Sequence, residues 1–469
     1  MGLVYFSKNP VDWYALEGVY IALTQPPAPA SISANAGMTK IVGEFPWGPV
    51  GEVIEADTGQ KFNDNLVGQA ASPEDYKGVI SVKNKQWGEL VVSRVGASGQ
   101  AKSTVTMQDS VPADAYKIEA KYVGAVGDEI AYDHVDTGSG TFELTITWGD
   151  KSTKYTDLTL STADLDDGID DDFVNVTLLD VSAGVPADET GNLAGGSDGT
   201  PGDSDYSDAL DVLTNADDGG TVFAAEYTSA AWISALENHI NALNRTYGIA
   251  QADAADDVAT NITSAESLST KKLILAGHRV SQFVDSTLTK VDLAPWLASV
   301  LANIAPNKSL AAYSASEWLT PIRGFGGGIT APSRADYINA REAGLVLLEQ
   351  DEGDWIPKSG LTSDGDKVNR IRMEGIVGFN IGEALKPFKS EPSYPSNKTA
   401  ARVAMERKMD VLAGTEDVPE SQLIRGHNIF EIDATATSVL YKVDVKTFGD
   451  MDSIIANVTV GPTVDIEIE

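Results

Sequence analysis

The sequence predicts an α/β core that is interrupted by a β-rich insertion and followed by an α+β unit. The runs "TVFAAEY" (221–227) and "KKLILAG" (271–277) are typical of buried strands, and a helical pattern follows each of them. Strands that alternate with helices indicate a largely parallel sheet. In the insertion, "YKIEAKYV" (116–123) and "TFELTITW" (141–148) alternate between apolar and polar residues, which predicts half-buried strands.

These patterns divide the 469 residues into four segments. Residues 181–220 are rich in Gly, Asp and Ser and are predicted to form long loops that close the insertion. Two helices, around 366–388 and 397–412, precede several β runs at the end of the chain. We expect an arm and spacer over 1–30, a core domain over 31–98 plus 221–358, an inserted domain over 99–220, and a last domain over 359–469.

The stretch "ANAGMTKIVGEFPWGPVGEVIEADTGQKFNDNL" (34–66) opens the predicted core. Its two apolar runs are separated by Gly43, Pro46, Gly48, Pro49 and Gly51, which predicts two short strands joined by a stiff corner. The stretch contains neither a histidine nor a metal-ligand cluster. We therefore expect a structural purpose for this corner rather than a chemical one.

The acidic charge of the chain is unevenly distributed. The formal net charge is −35, and residues 151–220 carry 17 acidic and 2 basic side chains, whereas residues 361–430 carry 10 of each. Binding to a nucleic-acid backbone requires clustered Lys and Arg, so nucleic acid is not an expected partner. The absence of cysteine excludes disulfides and Cys-ligated metals. With no export signal or membrane-length apolar run in the sequence, we expect a soluble protein made in a cytoplasm.

The four histidines do not form a catalytic or metal-binding pattern. His134 is predicted to lie in a surface loop, His239 to be half-exposed on a helix, and His427 to lie in a turn. His278 follows a buried strand, a position where α/β enzymes often place catalytic residues, but no partner for it can be named.

Two further segments resemble ligand-binding loops. The glycine cluster "RGFGGGITAP" (323–332) lacks the GK[ST] ending of a phosphate loop. The acidic run "DLDDGIDDDF" (164–173) lacks EF-hand spacing, so a solvated loop is favoured over a cation site. We predict no catalytic residue, no metal site, no cofactor and no enzyme activity.

The order of several short motifs resembles that of contractile tail sheath proteins of bacteriophages and related injection machines. The start "GVYIALTQPPAP" resembles the family's chain start and proline spacer, and "AGMTKIVGEFPWGPV" with "EVIEADTGQKFNDNL" resembles its core opening. The run "ELVVSRVGA" resembles the strand that leaves this core. The segment "YKIEAKYVGAVGDEIAY" (116–132) resembles the inserted β domain, with Val123-Gly124 and Val126-Gly127-Asp128 where the family reads Pro-Gly and Trp-Gly-Asn.

This resemblance implies a fold and a function. The core would have a subtilisin-like architecture without the catalytic site, and the chain would be a structural subunit of hexameric rings stacked around a tail tube. Contraction of such a sheath drives the tube through the target cell envelope. The implied partners are further copies of the chain, the tail tube protein, and baseplate and tail terminator proteins, without direct membrane binding. The implied location is a virion tail or the sheath of an injection apparatus, assembled in the host cytoplasm.

The resemblance also places the domains and leaves two alternatives. The last domain would face the tube, and the acidic insertion would project outward, where like charges meet water rather than each other. One alternative is a non-catalytic, adhesin-type β-rich surface protein. The other is a subtilisin-like hydrolase, for which the sequence offers no Ser–His–Asp set.

Three groups of residues are the predicted assembly sites. The N-terminal arm group consists of Val19, Tyr20, Ile21 and Leu23, which precede the "QPPAPA" spacer. The C-terminal arm group consists of Val464, Ile466 and Ile468, which form one side of the terminal run "TVDIEIE". Each arm is predicted to pair with a neighbour's sheet, the alternative being that it completes its own. The predicted tube-facing group lies on the helix around 397–414 and consists of Lys398, Arg402, Arg407 and Lys408.

Overall fold

The structure is a computed structural model that is mixed α/β with several sheets. It describes residues 4–5, 20–23, 38–69, 89–216, 219–243, 246–252, 257–268, 270–284, 287–312, 324–325, 331–351, 354–388, 395–414, 423–434, 439–447 and 455–460. The chain divides into two compact units. The first unit comprises Met1–Lys40, Ser81–Glu89 and Asp217–Glu469, and the second comprises Ile41–Ile80 and Leu90–Ala216.

The chain opens with short strands that flank the predicted corner. They are β1 (Val4–Tyr5), β2 (Tyr20–Leu23), β3 (Thr39–Gly43), β4 (Val53–Glu55) and β5 (Leu90–Arg94), with one turn of helix, α1 (Gly59–Phe62), between β4 and β5. Strands β4 and β5 are antiparallel, and the amide of Val95 donates to the carbonyl of Gly43. The two short strands predicted on either side of the corner are therefore β3 and β4.

The rest of the second unit is mainly antiparallel. Its elements are β6 (Thr104–Gln108), β7 (Asp114–Ala120), β8 (Ala131–Gly138), β9 (Thr141–Trp148), β10 (Lys151–Leu158), α2 (Thr162–Leu165), β11 (Val174–Leu178), β12 (Glu189–Asn192) and α3 (Asp203–Val212). One sheet has the order β10-β9-β8-β12, and the other has the order β11-β7-β6. Strand β9 buries every second side chain, as its alternating sequence predicts.

The prediction that residues 181–220 are loops is wrong for strand β12 and for helix α3. Tyr206, Ala209, Leu210 and Leu213 are buried, and their spacing gives the helix one apolar face. The carboxylate of Asp205 accepts a hydrogen bond from the amide of Gly202 at 2.8 Å, which satisfies a donor at the start of the helix. The many Asp and Gly residues around this short apolar pattern concealed it in the sequence.

In the first unit, helices alternate with parallel strands. The elements are β13 (Gly220–Ala224), α4 (Ala230–Ala242), β14 (Thr246–Gln251), α5 (Val258–Glu266), β15 (Leu273–Ala276), β16 (Val280–Val284), β17 (Thr287–Val291), α6 (Ala294–Asn303), β18 (Gly324–Phe325), α7 (Arg334–Glu342), β19 (Leu345–Val346), β20 (Leu348–Asp351) and β21 (Asp354–Pro357). Strands β13, β14, β15 and β19 are parallel neighbours. Such strands are covered by helices on their faces, which explains their continuous apolar sequence.

The end of the chain combines two long helices with a sheet. The helices are α8 (Val368–Leu385) and α9 (Pro395–Ala413), and the strands are β22 (Ile424–Ala434), β23 (Val439–Thr447) and β24 (Ile455–Val460). The sheet has the order β1-β2-β24-β23-β22, so strands from both ends of the chain share it. Within the described ranges, every helix is too short or too polar to span a membrane.

Candidate assembly surfaces

Three of the four histidines are buried, which corrects two predictions, and His427, which was predicted in a turn, lies within strand β22. His134 was predicted in a surface loop but lies in β8, fully buried. The hydroxyl of Tyr116 lies 2.7 Å from its Nδ1, and the carbonyl of Pro186 lies 3.0 Å from its Nε2. These partners fit a neutral ring protonated on Nε2, and burial lowers the pKa of His134. The imidazole is therefore a satisfied core residue.

His239 and His278 are also core residues of the first unit. His239 was predicted to be half-exposed, but it lies on the buried side of α4, where burial and the charge of Lys40 lower its pKa to about 4. His278 follows β15, and burial lowers its pKa to about 3. Its ring packs at 5.0 Å against that of Phe325. In the described part of the chain, no cluster of three His, Asp or Glu residues could hold a metal ion.

The acidic run 164–173 is organised by the backbone. Asp171 is buried, and its carboxylate accepts hydrogen bonds from the amides of Phe173 at 2.8 Å and Val174 at 3.1 Å. The carboxylate of Asp164 accepts hydrogen bonds from the hydroxyl and from the amide of Thr159, and these bonds lower the pKa of Asp164. These two carboxylates therefore stabilise turns of the β domain.

The C-terminal sheet contains the described part of the N-terminal arm group. Tyr20, Ile21 and Leu23 lie in β2, which runs antiparallel to β24 with Leu23 opposite Val458. Strand β24 in turn pairs with β23 over six residue pairs. Within one chain, β2 and β24 therefore complete the chain's own sheet. Val19, Val464, Ile466 and Ile468 lie outside the described residues, so the exchange of arms between subunits stays a prediction.

The four predicted tube-facing cations all lie on α9 but do not share one face. Lys398 is paired with Glu431 of β22 at 3.4 Å, and Arg402 is paired with Glu406 on the same helix at 2.8 Å. Arg407 and Lys408 are exposed. Because successive helix residues turn by about 100°, Arg402 and Arg407 point in different directions. The assignment of these cations to a tube surface stays a prediction.

Helix α9 is anchored to the sheet by its apolar side. Ala401, Met405, Met409 and Leu412 are buried at intervals of three or four residues. The hydroxyl of Tyr441 on β23 donates to the carbonyl of Lys398 at 2.7 Å. A groove of about 540 Å³ lies between the helix and β22, lined by Arg402, Glu406, Asp410, His427, Asn428, Ile429, Phe430 and Glu431. Among the described strands, β22 is the outermost of its sheet.

The corner, residues 45–50, is held by one buried guanidinium that the sequence did not single out. Arg94 ends β5 and is 2% exposed. Its Nε donates to the carbonyl of Phe45 at 2.6 Å, and its Nη1 donates to that of Gly48 at 2.7 Å. Burial lowers its pKa to about 10, which still leaves it charged at neutral pH. In the sequence, the signal for this role is a single cation, Arg94, that closely follows the apolar run "LVV" (90–92).

Solved structures of sheath proteins share the fold of the chain. The crystal structure of the sheath tail protein from Desulfitobacterium hafniense matches with a TM-score of 0.68 at 15% identity, covering 95% of this chain and 100% of that one. The sheath tail protein Lin1278 from Listeria innocua matches with a TM-score of 0.63 at 14% identity, covering 93% of this chain and 96% of that one. Neither a protein-family model nor a curated protein sequence matches the chain.

These likenesses define the class of fold. The chain has the fold of sheath tail proteins over nearly its whole length, and the predicted resemblance is confirmed at this level. At 15% and 14% identity these likenesses show the fold of the chain, and the absence of enzyme activity stays a prediction.

Proposed function

We propose that this protein is the structural subunit of a contractile tail sheath. It polymerises as stacked hexameric rings around a tail tube, and contraction of the rings drives the tube through a target cell envelope. The observation that carries the proposal is the fold match, which covers all of one sheath tail protein and 95% of this chain. A hydrolase is disfavoured because His134 bonds to Tyr116 and Pro186 and, in the described part of the chain, no Ser–His–Asp set forms around a buried histidine.

The two ends of the chain would link the subunits. In the polymer, the N-terminal and C-terminal arms would pair with the sheet of a neighbour rather than with their own. The antiparallel β2–β24 pairing offers a model for such a link, because main-chain hydrogen bonds do not depend on which copy supplies the strand. The "QPPAPA" spacer would span about 20 Å in an extended polyproline form, enough to reach a neighbour.

The remaining partners and the location follow from the same proposal. The α9 helix would face the tail tube, the acidic insertion would face outward, and baseplate and terminator proteins would close the two ends of the sheath. The core would have a subtilisin-like architecture without the catalytic site. The protein would reside in a virion tail or an injection apparatus and would assemble in the host cytoplasm.

Truncation of the C-terminal arm tests the link between subunits. Removing residues 463–469 is expected to leave a folded monomer with near-native melting that forms no tubules in electron micrographs. The matched control replaces Asp465, Glu467 and Glu469 by Asn or Gln, which keeps the chain length and the apolar side of the run. Normal polymerisation of the truncated chain would rule out the arm exchange, and outright unfolding would favour a strand that completes its own sheet.

A further inference from the structure

The corner and the inserted β domain (residues 104–192) share the same buried guanidinium. Besides the bonds to Phe45 and Gly48, the Nη2 of Arg94 donates to the carbonyl of Val123 at 2.8 Å and to that of Pro46 at 3.3 Å. Val123 belongs to the β domain, in the connection between β7 and β8. A buried cation with few partners is costly, so its bonds hold only while the corner and the β domain keep their positions.

The corner also supplies a side chain to the hydrophobic core of the β domain. Trp47 is 2% exposed and belongs to the same buried cluster as Phe142, Leu144 and Trp148. Its ring centre lies 4.6 Å from that of Trp148 and 5.0 Å from that of Tyr122. Aromatic pairs at such distances attract each other beyond the burial of their area. The core of the β domain is therefore incomplete without the corner.

A second close approach, at Gly68, joins the segment that follows the corner to the inserted β domain. Gly68 has φ +61°, and a Cβ added there would lie 2.1 Å from Cη2 of Trp148. Only glycine accepts both this backbone conformation and this closeness. The nearby ion pair between Lys151 and Asp64, at 3.4 Å, is half-exposed and contributes little. The contact between the corner and the β domain therefore depends mainly on buried packing and on the hydrogen bonds of Arg94.

We infer that Arg94 and Trp47 are positioning residues that fasten the corner to the inserted β domain, so that the two move as one rigid body. The inference builds on the proposed function: in a contracting sheath, the β domain would follow the rotation of the corner instead of swinging on its linkers. A β domain connected to the corner only through the chain would have its own complete core and would share no buried hydrogen bonds with the corner. Here Arg94 bonds to both parts, and Trp47 of the corner packs in the core of the β domain.

The absence of cysteine allows a direct test on the full-length chain. Spin labels are attached at Glu52→Cys, next to the corner, and at Val181→Cys, a position of the β domain that is 71% exposed. The distance distribution between the labels is measured by pulsed electron resonance on the unassembled chain. A single narrow distribution is expected, and a broad or multiple one would overturn the inference.

Loosening the fastening should widen this distribution. Arg94→Lys keeps the charge but cannot reach four carbonyls at once, and the width is expected to increase at least twofold. Arg402→Lys, the same change at an exposed site, should leave the width unchanged. A folded Arg94→Lys chain that keeps the narrow distribution would overturn the inference.

If Arg94→Lys fails to fold, Trp47→Phe provides the same two outcomes, because it keeps an aromatic side chain but reduces the contact with Trp148. Since no polymer is needed, a failure here is distinguishable from a failure of the sheath proposal.

Discussion

Replacing Trp47 with alanine should strongly destabilise the protein. The side chain is 2% exposed and packs against Trp148 and Tyr122. Truncating a buried tryptophan costs about 3–5 kcal/mol through lost transfer energy and the cavity that remains. The free energy of unfolding of a domain is typically about 5–15 kcal/mol, so we expect the change to remove at least about a fifth of it.

Urea unfolding measured by circular dichroism provides the assay for Trp47→Ala. Val111→Ala is the control, because Val111 is 77% exposed and its truncation should change the free energy of unfolding by less than about 0.5 kcal/mol. A loss below about 1 kcal/mol for Trp47→Ala would refute the reasoning, because the corner would then add little to the core of the β domain.

Three further predictions concern acid, the insertion and the tube. Burial lowers the pKa of His278 to about 3, and burial with a nearby charge lowers that of His239 to about 4, so below pH 6.5 the unfolded chain binds more protons than the folded chain. The free energy of unfolding, measured with urea, should therefore fall by on the order of 2 kcal/mol per histidine from pH 7 to pH 5. An unchanged free energy of unfolding would contradict this prediction. Replacing residues 100–218 with a Gly/Ser linker should lower the melting temperature, because it exposes the corner. A melting temperature equal to that of the full chain would contradict a hydrophobic core shared by the corner and the β domain. The double change Arg407→Glu and Lys408→Glu should weaken co-sedimentation with tail tubes more than self-assembly, and equal loss of both would exclude a tube-specific contact.

The sequence predicted those elements whose local pattern decides their structure. The alternation in "TFELTITW" coincides with β9, and the buried runs near 221 and 271 correspond to β13 and β15. The helix predicted around 397–412 is α9. In each case the buried apolar residues follow a local pattern that is typical of the strand or helix they form. A short window of sequence is therefore enough to predict the element.

Features that depend on distant residues could not be predicted in this way. The run "YDHVD" is polar enough to suggest a loop, but His134 is buried because Tyr116 and Pro186, brought together by tertiary folding, satisfy its two ring nitrogens. Arg94 likewise finds its carbonyl partners 29 to 49 residues away. The sequence predicted a stiff corner, but it did not indicate that Trp47 of this corner joins the hydrophobic core of another segment.

Electron microscopy of the purified full-length chain tests the sheath proposal most directly. The net charge of −35 repels neighbouring copies, so the protein is imaged across a range of salt concentrations that screen this repulsion. The proposal predicts long hollow tubules built from stacked six-fold rings. A chain that remains monomeric, or that forms only irregular aggregates at every salt concentration, would contradict it.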